Sequence, residues 1–526
     1  MQSYRKGLES RAAYGESVSL TRKPIFRSST IFPIIESSYI STKITFLSYW
    51  MIKRNIKEIG ILFTLRDESG TIFCRQKMNI NKAKAFQIDI IDVLETINFN
   101  NSKDFIGSIE IEVFSTQDMF FPYPAFCVVY HGEDFSSSVH SLGRIYNDFD
   151  DLLENTSVSI PETGFDVCSG KGFEPFFSFT NGAVENPNGI VKYRIVGSTE
   201  ITEGSFELGI LKSFETRFVM LKDHIDLEKI LGGRKGAISL EHNFQGFFPR
   251  FLCGNFENNR KSLSVTHSFY DSTSIDTDDA YIDKPPENLY HSSKLLPFFG
   301  KSDNYTKLIL YPCSSPSSFN LNLHYFDNAG LQIGNITVGK NIKNTKSLYE
   351  EFDFAEIAGI NGISIDDIAS VKFISEFTDK IPTRLKMGLN IGVKGKHNQL
   401  PCNICFAPDV ADEKKLTKPS TFRWLPFINK GNSIVVITNS GTEKKYDRTA
   451  QVKISFFRSQ DDKYLIRDIS IGPNKIHQIL LDSDDELKNF LGNDIGWISV
   501  LADNGFVESW YFDICKSGSV AADHGF

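Results

Sequence analysis

The chain has 526 residues, enough for roughly three to four domains. With 41% hydrophobic and 23% charged residues it has a globular composition, not a disordered one. A formal net charge of −8 argues against nucleic acid or an anionic membrane as the principal partner. The 45 Phe, set against 4 Trp and 6 Met, suit half-buried pleated surfaces better than helices.

The opening run MQSYRKGLESRAAYGESVSL is charged and lacks the apolar core of a signal peptide, so residues 1–29 read as an N-terminal extension. ITFLSYWMI (44–52) is too short to span a bilayer and runs directly into Lys53 and Arg54, which fits an amphipathic strand. These features predict no integral membrane segment and a cytoplasmic location.

An aromatic-Pro motif then recurs as IFPI (31–34), EPFF (174–177), LPFF (296–299) and LPFI (425–428), at a period of about 130 residues. Hairpin patterns follow it. ILFTLRDESGTIF (61–73) and NLNLHYFDNAGLQI (320–333) alternate apolar and polar residues about an Asp/Gly turn, and 193–211 and 452–466 are looser versions. One short helical candidate per copy comes next, typified by DIIDVLE, and then a glycine-led strand from Gly107, Gly236 or Gly496, with Gly362 or ASVKFIS (369–375) as the candidates in the third copy. Each copy ends on an apolar strand in which Cys127, Cys253, Met387 and Cys515 fall at equivalent places.

The pattern predicts an all-β fold: a tandem array of about four immunoglobulin-like antiparallel β-sandwich units, at 30–150, 165–280, 294–410 and 420–526. A position that takes Cys or Met is an apolar core site, so most of the 8 cysteines are expected to be free thiols.

Complete chemical motifs are missing. CNIC (402–405) has no second pair for a zinc site, and LGGRKG (231–236) leads into a strand instead of a P-loop helix. The acidic stretches 146–155 and 271–288 lack the EF-hand order and read as solvated linkers. No metal and no cofactor are expected.

A histidine lies near the end of each copy, at His140, His267, His397 and His524. The offset to the nearest aspartate varies among them, which argues for a structural exit-loop residue over a catalytic dyad. Should these segments instead form a ligand site, its residues are His140, Arg144, Tyr146, His267, Tyr270 and Asp271. The expected function is non-catalytic binding or scaffolding for a glycan or protein partner. The alternative is a hydrolase acting on a glycan or its acyl substituents, in a groove between the first two units.

Overall fold

The computed structural model describes residues 25–526 apart from 100–103, 120–123, 141, 145–161, 171, 198–199, 248–249, 258, 271–280, 302, 314, 383–384, 396–401 and 411–416. The described chain is mostly β and antiparallel, as the alternation and turn chemistry predict.

Numbering only strands longer than two residues, unit 1 contains β1 (Arg27–Glu36), β2 (Ser41–Leu47), β3 (Ile59–Asp67), β4 (Ile72–Ile80), β5 (Ala85–Asp89), β6 (Phe105–Phe114), β7 (Cys127–His131) and β8 (Ser136–His140). Unit 2 contains β9 (Glu162–Cys168), β10 (Phe173–Thr180), β11 (Asn186–Val196), β12 (Ile201–Leu211), β13 (Thr216–Met220), β14 (Lys235–His242), β15 (Leu252–Glu257) and β16 (Ser262–His267). Unit 3 contains β17 (Ser292–Pro297), β18 (Asn304–Leu310), β19 (Ser317–Phe326), β20 (Gln332–Asn344), β21 (Glu350–Asp353), β22 (Ser370–Phe377), β23 (Met387–Val393) and β24 (Cys402–Phe406). Unit 4 contains β25 (Thr421–Phe427), β26 (Asn432–Asn439), β27 (Ala450–Phe457), β28 (Tyr464–Ile471), β29 (Lys475–Leu480), β30 (Gly496–Ala502), β31 (Val507–Ile514) and β32 (Val520–His524).

Every unit repeats one topology. In unit 1 the sheets run β1-β6-β3-β4 and β5-β2-β7-β8, and the other three units follow suit. Advancing each strand by four within the eight turns one sheet into the other, so each unit is itself a topological duplication in which the halves exchange their second strands. An immunoglobulin sandwich pairs its first strand with its second. Here the first pairs with the sixth, Ile31 opposite Glu110 in unit 1, so the strand order is not the immunoglobulin one.

The two sheets of a unit share a core. In unit 2 Val191, Ile195, Phe206 and Leu240 meet Phe177, Phe179 and Val219 across the interior. The short helix expected between strands is present four times, at Ile90–Thr96, Leu227–Leu231, Phe354–Ile360 and Asp485–Leu491. Asp226, Asp353 and Asp484 cap three of these by accepting backbone N–H bonds in the first turn. The proline motif holds a common place in units 1, 3 and 4, where Pro33, Pro297 and Pro426 lie in the first strand. Pro175 lies in the second strand of unit 2, whose first strand, β9, precedes the motif.

The four units close into a ring, each laying one sheet on the opposite sheet of the next. Thr216 of unit 2 donates its N–H to Glu68 O of unit 1 (2.9 Å), and Arg194 of unit 2 donates to Lys346 O of unit 3 (3.1 Å). Lys372 of unit 3 reaches Gly441 O of unit 4 (2.7 Å), and Lys84 of unit 1 reaches Ser459 O of unit 4 (2.6 Å). The last strands of the units meet at the centre, β8 against β16 and β32, and β24 against the same two.

Turn chemistry makes this docking possible. The Asp327 carboxylate accepts N–H bonds from Ala329 and Leu331, and Gly330 takes φ +79°. A Cβ on Gly330 would stand 2.7 Å from Pro473 O of unit 4, and one on Gly70 would stand 2.4 Å from Ser213 O of unit 2. Gly362 also has a positive φ of +75°, but nothing lies within 4 Å of its Cβ position. Gly362→Ala should therefore carry backbone strain alone, on the order of 1 kcal/mol. Gly330→Ala should destabilise by at least ~1 kcal/mol more, read from paired urea denaturation curves. Equal losses would mean that the turn does not dock closely.

Candidate functional site at the ring centre

The terminal strands place four side chains in one register position. Cys127 pairs with His140, Leu252 with His267, Met387 with Phe406, and Trp510 with His524. The histidines thus end a final strand, and His140 and His267 are buried. The exit-loop expectation is corrected, because these polar five- and six-residue strands are sheltered by neighbouring units and lack a simple alternating pattern. His397 lies outside the described residues, and Phe406 occupies the third position.

The cysteine alignment also shifts. Cys253 pairs with Thr266, one residue along from the Cys127 position, and Cys515 lies just past β31. Cys127 and Cys253 remain buried, and Cys74, Cys127 and Cys515 carry free thiols.

His140 is the hub of the cluster. Its ring centroid lies 4.9 Å from those of His267 and His524 and 5.0 Å from that of Phe526. Its Nδ1 bonds the Asp523 carboxylate across the contact between units 1 and 4. His267 Nδ1 lies 2.8 Å from Ser268 O, and His524 Nδ1 lies 3.1 Å from Gly525 O. A carbonyl only accepts, so Nδ1 carries the proton in both rings and Nε2 keeps its lone pair.

Burial, then the charges of Arg250 and His140, hold His267 well below the usual imidazole range. Burial brings His524 down to about 4. For Asp523 burial works upward, but the His140 and His524 charges and hydrogen bonds outweigh it and hold the carboxyl low. One donor atom from each of His140, Asp523 and His524 lies within 4.8 Å of the others. The His140 and Asp523 side chains are 10% and 7% exposed, while that of His524 is 36% exposed and opens the cluster to solvent.

Polar contacts continue along the same face of β8. Ser136 donates to Asp513 (2.7 Å), Ser138 meets the Tyr511 hydroxyl at 3.1 Å, and Ser519 donates to Ser136 O (2.8 Å). Trp497 of unit 4 donates to Thr45 of unit 1 (2.7 Å), and Tyr49 stacks on Trp424 at 4.5 Å.

Of the sequence-derived site residues, the structure brings His140 and His267 together. Arg144 is buried next to Gly143, which bridges to Ile31. Tyr146, Asp271 and the Tyr270 side chain lie outside the described residues, as do the acidic runs 146–155 and 271–280. Sequence reasoning left Asp513, Tyr511 and Asp523 out of the site. The available signal was the spacing of Ser136, Ser138 and His140, which puts three polar groups on one strand face.

A second polar centre joins units 2 and 3. Buried Asp166 accepts from Asn390 (2.6 Å) and from the Tyr311 hydroxyl (3.1 Å). Burial raises it to about 6 against the opposing Lys235 charge. Beside it lies a cleft of about 260 Å³ lined by Lys192, Arg194, Glu203, Cys313 and Lys346. This cleft lies between units 2 and 3.

No protein-family model matches the chain, and no curated protein matches it.

Two stability predictions follow from these environments. His140→Ala strands a buried carboxylate and should cost about 3–5 kcal/mol. Asp523→Asn should be milder, and the double variant should lose less than the sum of the two in a denaturation cycle. Additive losses would show that the pair is not coupled.

His242 tests the effect of acid in isolation. It is buried against Phe244, its Nδ1 accepts the Phe244 N–H (3.2 Å), and burial lowers it to about 4. The unfolded chain binds the proton first, so stability is lost as pH falls from about 6.5 toward 4, on the order of 3 kcal/mol. His242→Gln, which keeps an acceptor but does not titrate, should flatten that part of the Tm–pH curve. An unchanged curve would remove His242 as a source of the acid sensitivity.

Proposed function

We propose that the protein is a non-catalytic scaffold that binds a protein partner by strand addition along its outer edges. One observation carries this reading. In all four units the fourth strand (β4, β12, β20 or β28) is the end strand of its sheet and holds exposed apolar residues. They are Ile72 and Phe73, Ile201 and Ile210, Ile333, and Tyr464 and Ile466. An edge of this kind offers a partner backbone hydrogen bonds together with apolar side-chain contacts. A glycan would use the aromatic faces alone, and Phe73 and Tyr464 have aliphatic counterparts in units 2 and 3.

The hydrolase alternative has one point in its favour, the 4.9 Å contact between His140 and His267. Against it, both rings are buried. Cytoplasmic residence is part of the proposal and rests on the free thiols of Cys74, Cys127 and Cys515. No described helix is long and apolar enough to cross a membrane.

The test compares the full chain with a variant carrying Phe73→Lys, Ile201→Lys, Ile333→Lys and Tyr464→Lys. Surface changes of this kind should leave Tm within a few degrees. Selection from a displayed random-peptide library should enrich β-branched and aromatic extended peptides on the wild type, and the variant should lose at least ~10-fold in affinity for them. Unchanged peptide binding would overturn the edge-strand reading. So would glycan-array hits retained by the variant, or turnover of an acylated glycan that is abolished by His140→Gln.

A further inference from the structure

We propose that His140, Asp523 and His524 bind one divalent transition-metal ion of the Zn²⁺ type, which clamps unit 4 onto unit 1. The argument begins with the donor set. Two imidazoles and one carboxylate form a mixed N/O set that suits Zn²⁺ and its first-row neighbours, whereas Ca²⁺ and Mg²⁺ favour all-oxygen sites. The donor atoms lie within 4.8 Å of one another. Ligands about 2.0–2.2 Å from an ion can lie at most ~4.3 Å apart, so small side-chain rotations suffice to bring all three to one centre.

Ring orientation supplies an independent argument. His524 donates Nδ1–H to Gly525 O, which fixes the tautomer and leaves Nε2 as the ligand atom, the arrangement that supports metal-binding histidines. Its part-exposed side chain provides an entry path and leaves room for a water as fourth ligand.

Position in the ring is the third argument. The corresponding residue pairs at the ends of the last strands are Val139–His140, Thr266–His267, Cys405–Phe406 and Asp523–His524. A carboxylate appears in unit 4 alone, facing unit 1. Units 1 and 2, 2 and 3, and 3 and 4 are consecutive along the chain. Unit 4 meets unit 1 through non-covalent contacts, so an ion shared between them would act as a cross-link across that seam.

The test uses the full chain stripped with a chelator and then titrated with ZnCl₂ by calorimetry and with CoCl₂ by visible absorption. One equivalent of Zn²⁺ should bind, Co²⁺ should give the ligand-field bands of a low-coordinate N/O site, and CaCl₂ should not compete. Zn²⁺ in excess should raise Tm by several degrees through mass action. Asp523→Asn, which preserves shape, and His524→Ala, at a part-exposed position, should each weaken Zn²⁺ binding by ~100-fold or more and abolish the Tm rise. His267→Gln, outside the donor set, should retain both. Failure to bind Zn²⁺ or Co²⁺ would overturn the proposal, as would binding unaffected by Asp523→Asn and His524→Ala. Binding without a rise in Tm would overturn the clamp.

Discussion

The architecture depends on the non-covalent contact between unit 4 and unit 1. Each sandwich has apolar residues on the outer faces of its sheets as well as between them. A linear array would therefore leave one such face exposed at each end. Closure removes both, and one continuous hydrophobic cluster runs from unit 1 into β10 and β15 of unit 2 on one side and into unit 4 on the other. Trp50, Trp424, Trp497 and Tyr49 are fully or almost fully buried there. At roughly 2–3 kcal/mol for each large apolar side chain taken from water, these few residues outweigh any single polar contact at the seam.

The polar contacts set geometry. A buried hydrogen-bonded pair such as His140–Asp523 gains little over an apolar replacement of the same shape, because desolvation of the carboxylate offsets the attraction. Its directional bonds, with those of Ser136 to Asp513 and Trp497 to Thr45, nevertheless fix the alignment of β8 and β2 of unit 1 against unit 4. The junction between units 2 and 3 works in the same way through Asp166, Tyr311 and Asn390. Apolar area provides the strength of each junction, and buried hydrogen bonds define its alignment.

Closure also determines what faces outward. The eighth strands are used at the centre, and the long fourth strands end their sheets on the outside. Their charged residues, Lys77 and Lys343 among them, are the usual guard against indiscriminate pairing between edges. The histidines lie where four units converge, with Asp523 the one carboxylate among the residue pairs that end those strands.

Local features were readable from the sequence. The hairpins at 61–73 and 320–333, the short helices and the apolar strands follow from alternation and from Asp/Gly turn chemistry, which act between near neighbours. The prolines were partly readable: Pro33 and Pro426 occupy end strands, where a missing N–H is tolerated, but a short motif could not distinguish the first strand from the second at Pro175. Strand order was hidden, because Ile31 pairs with Glu110 through backbone groups that every residue carries. The slip that matched Cys253 with Cys127 has the same origin, since register is set by hydrogen-bond pairing and not by residue type. Tertiary structure alone decided that His140 and His267 are buried strand ends in contact with each other, and that His140 meets Asp523. Those environments arise only when units far apart in the chain close around them, and burial by distant segments leaves no local pattern in a sequence.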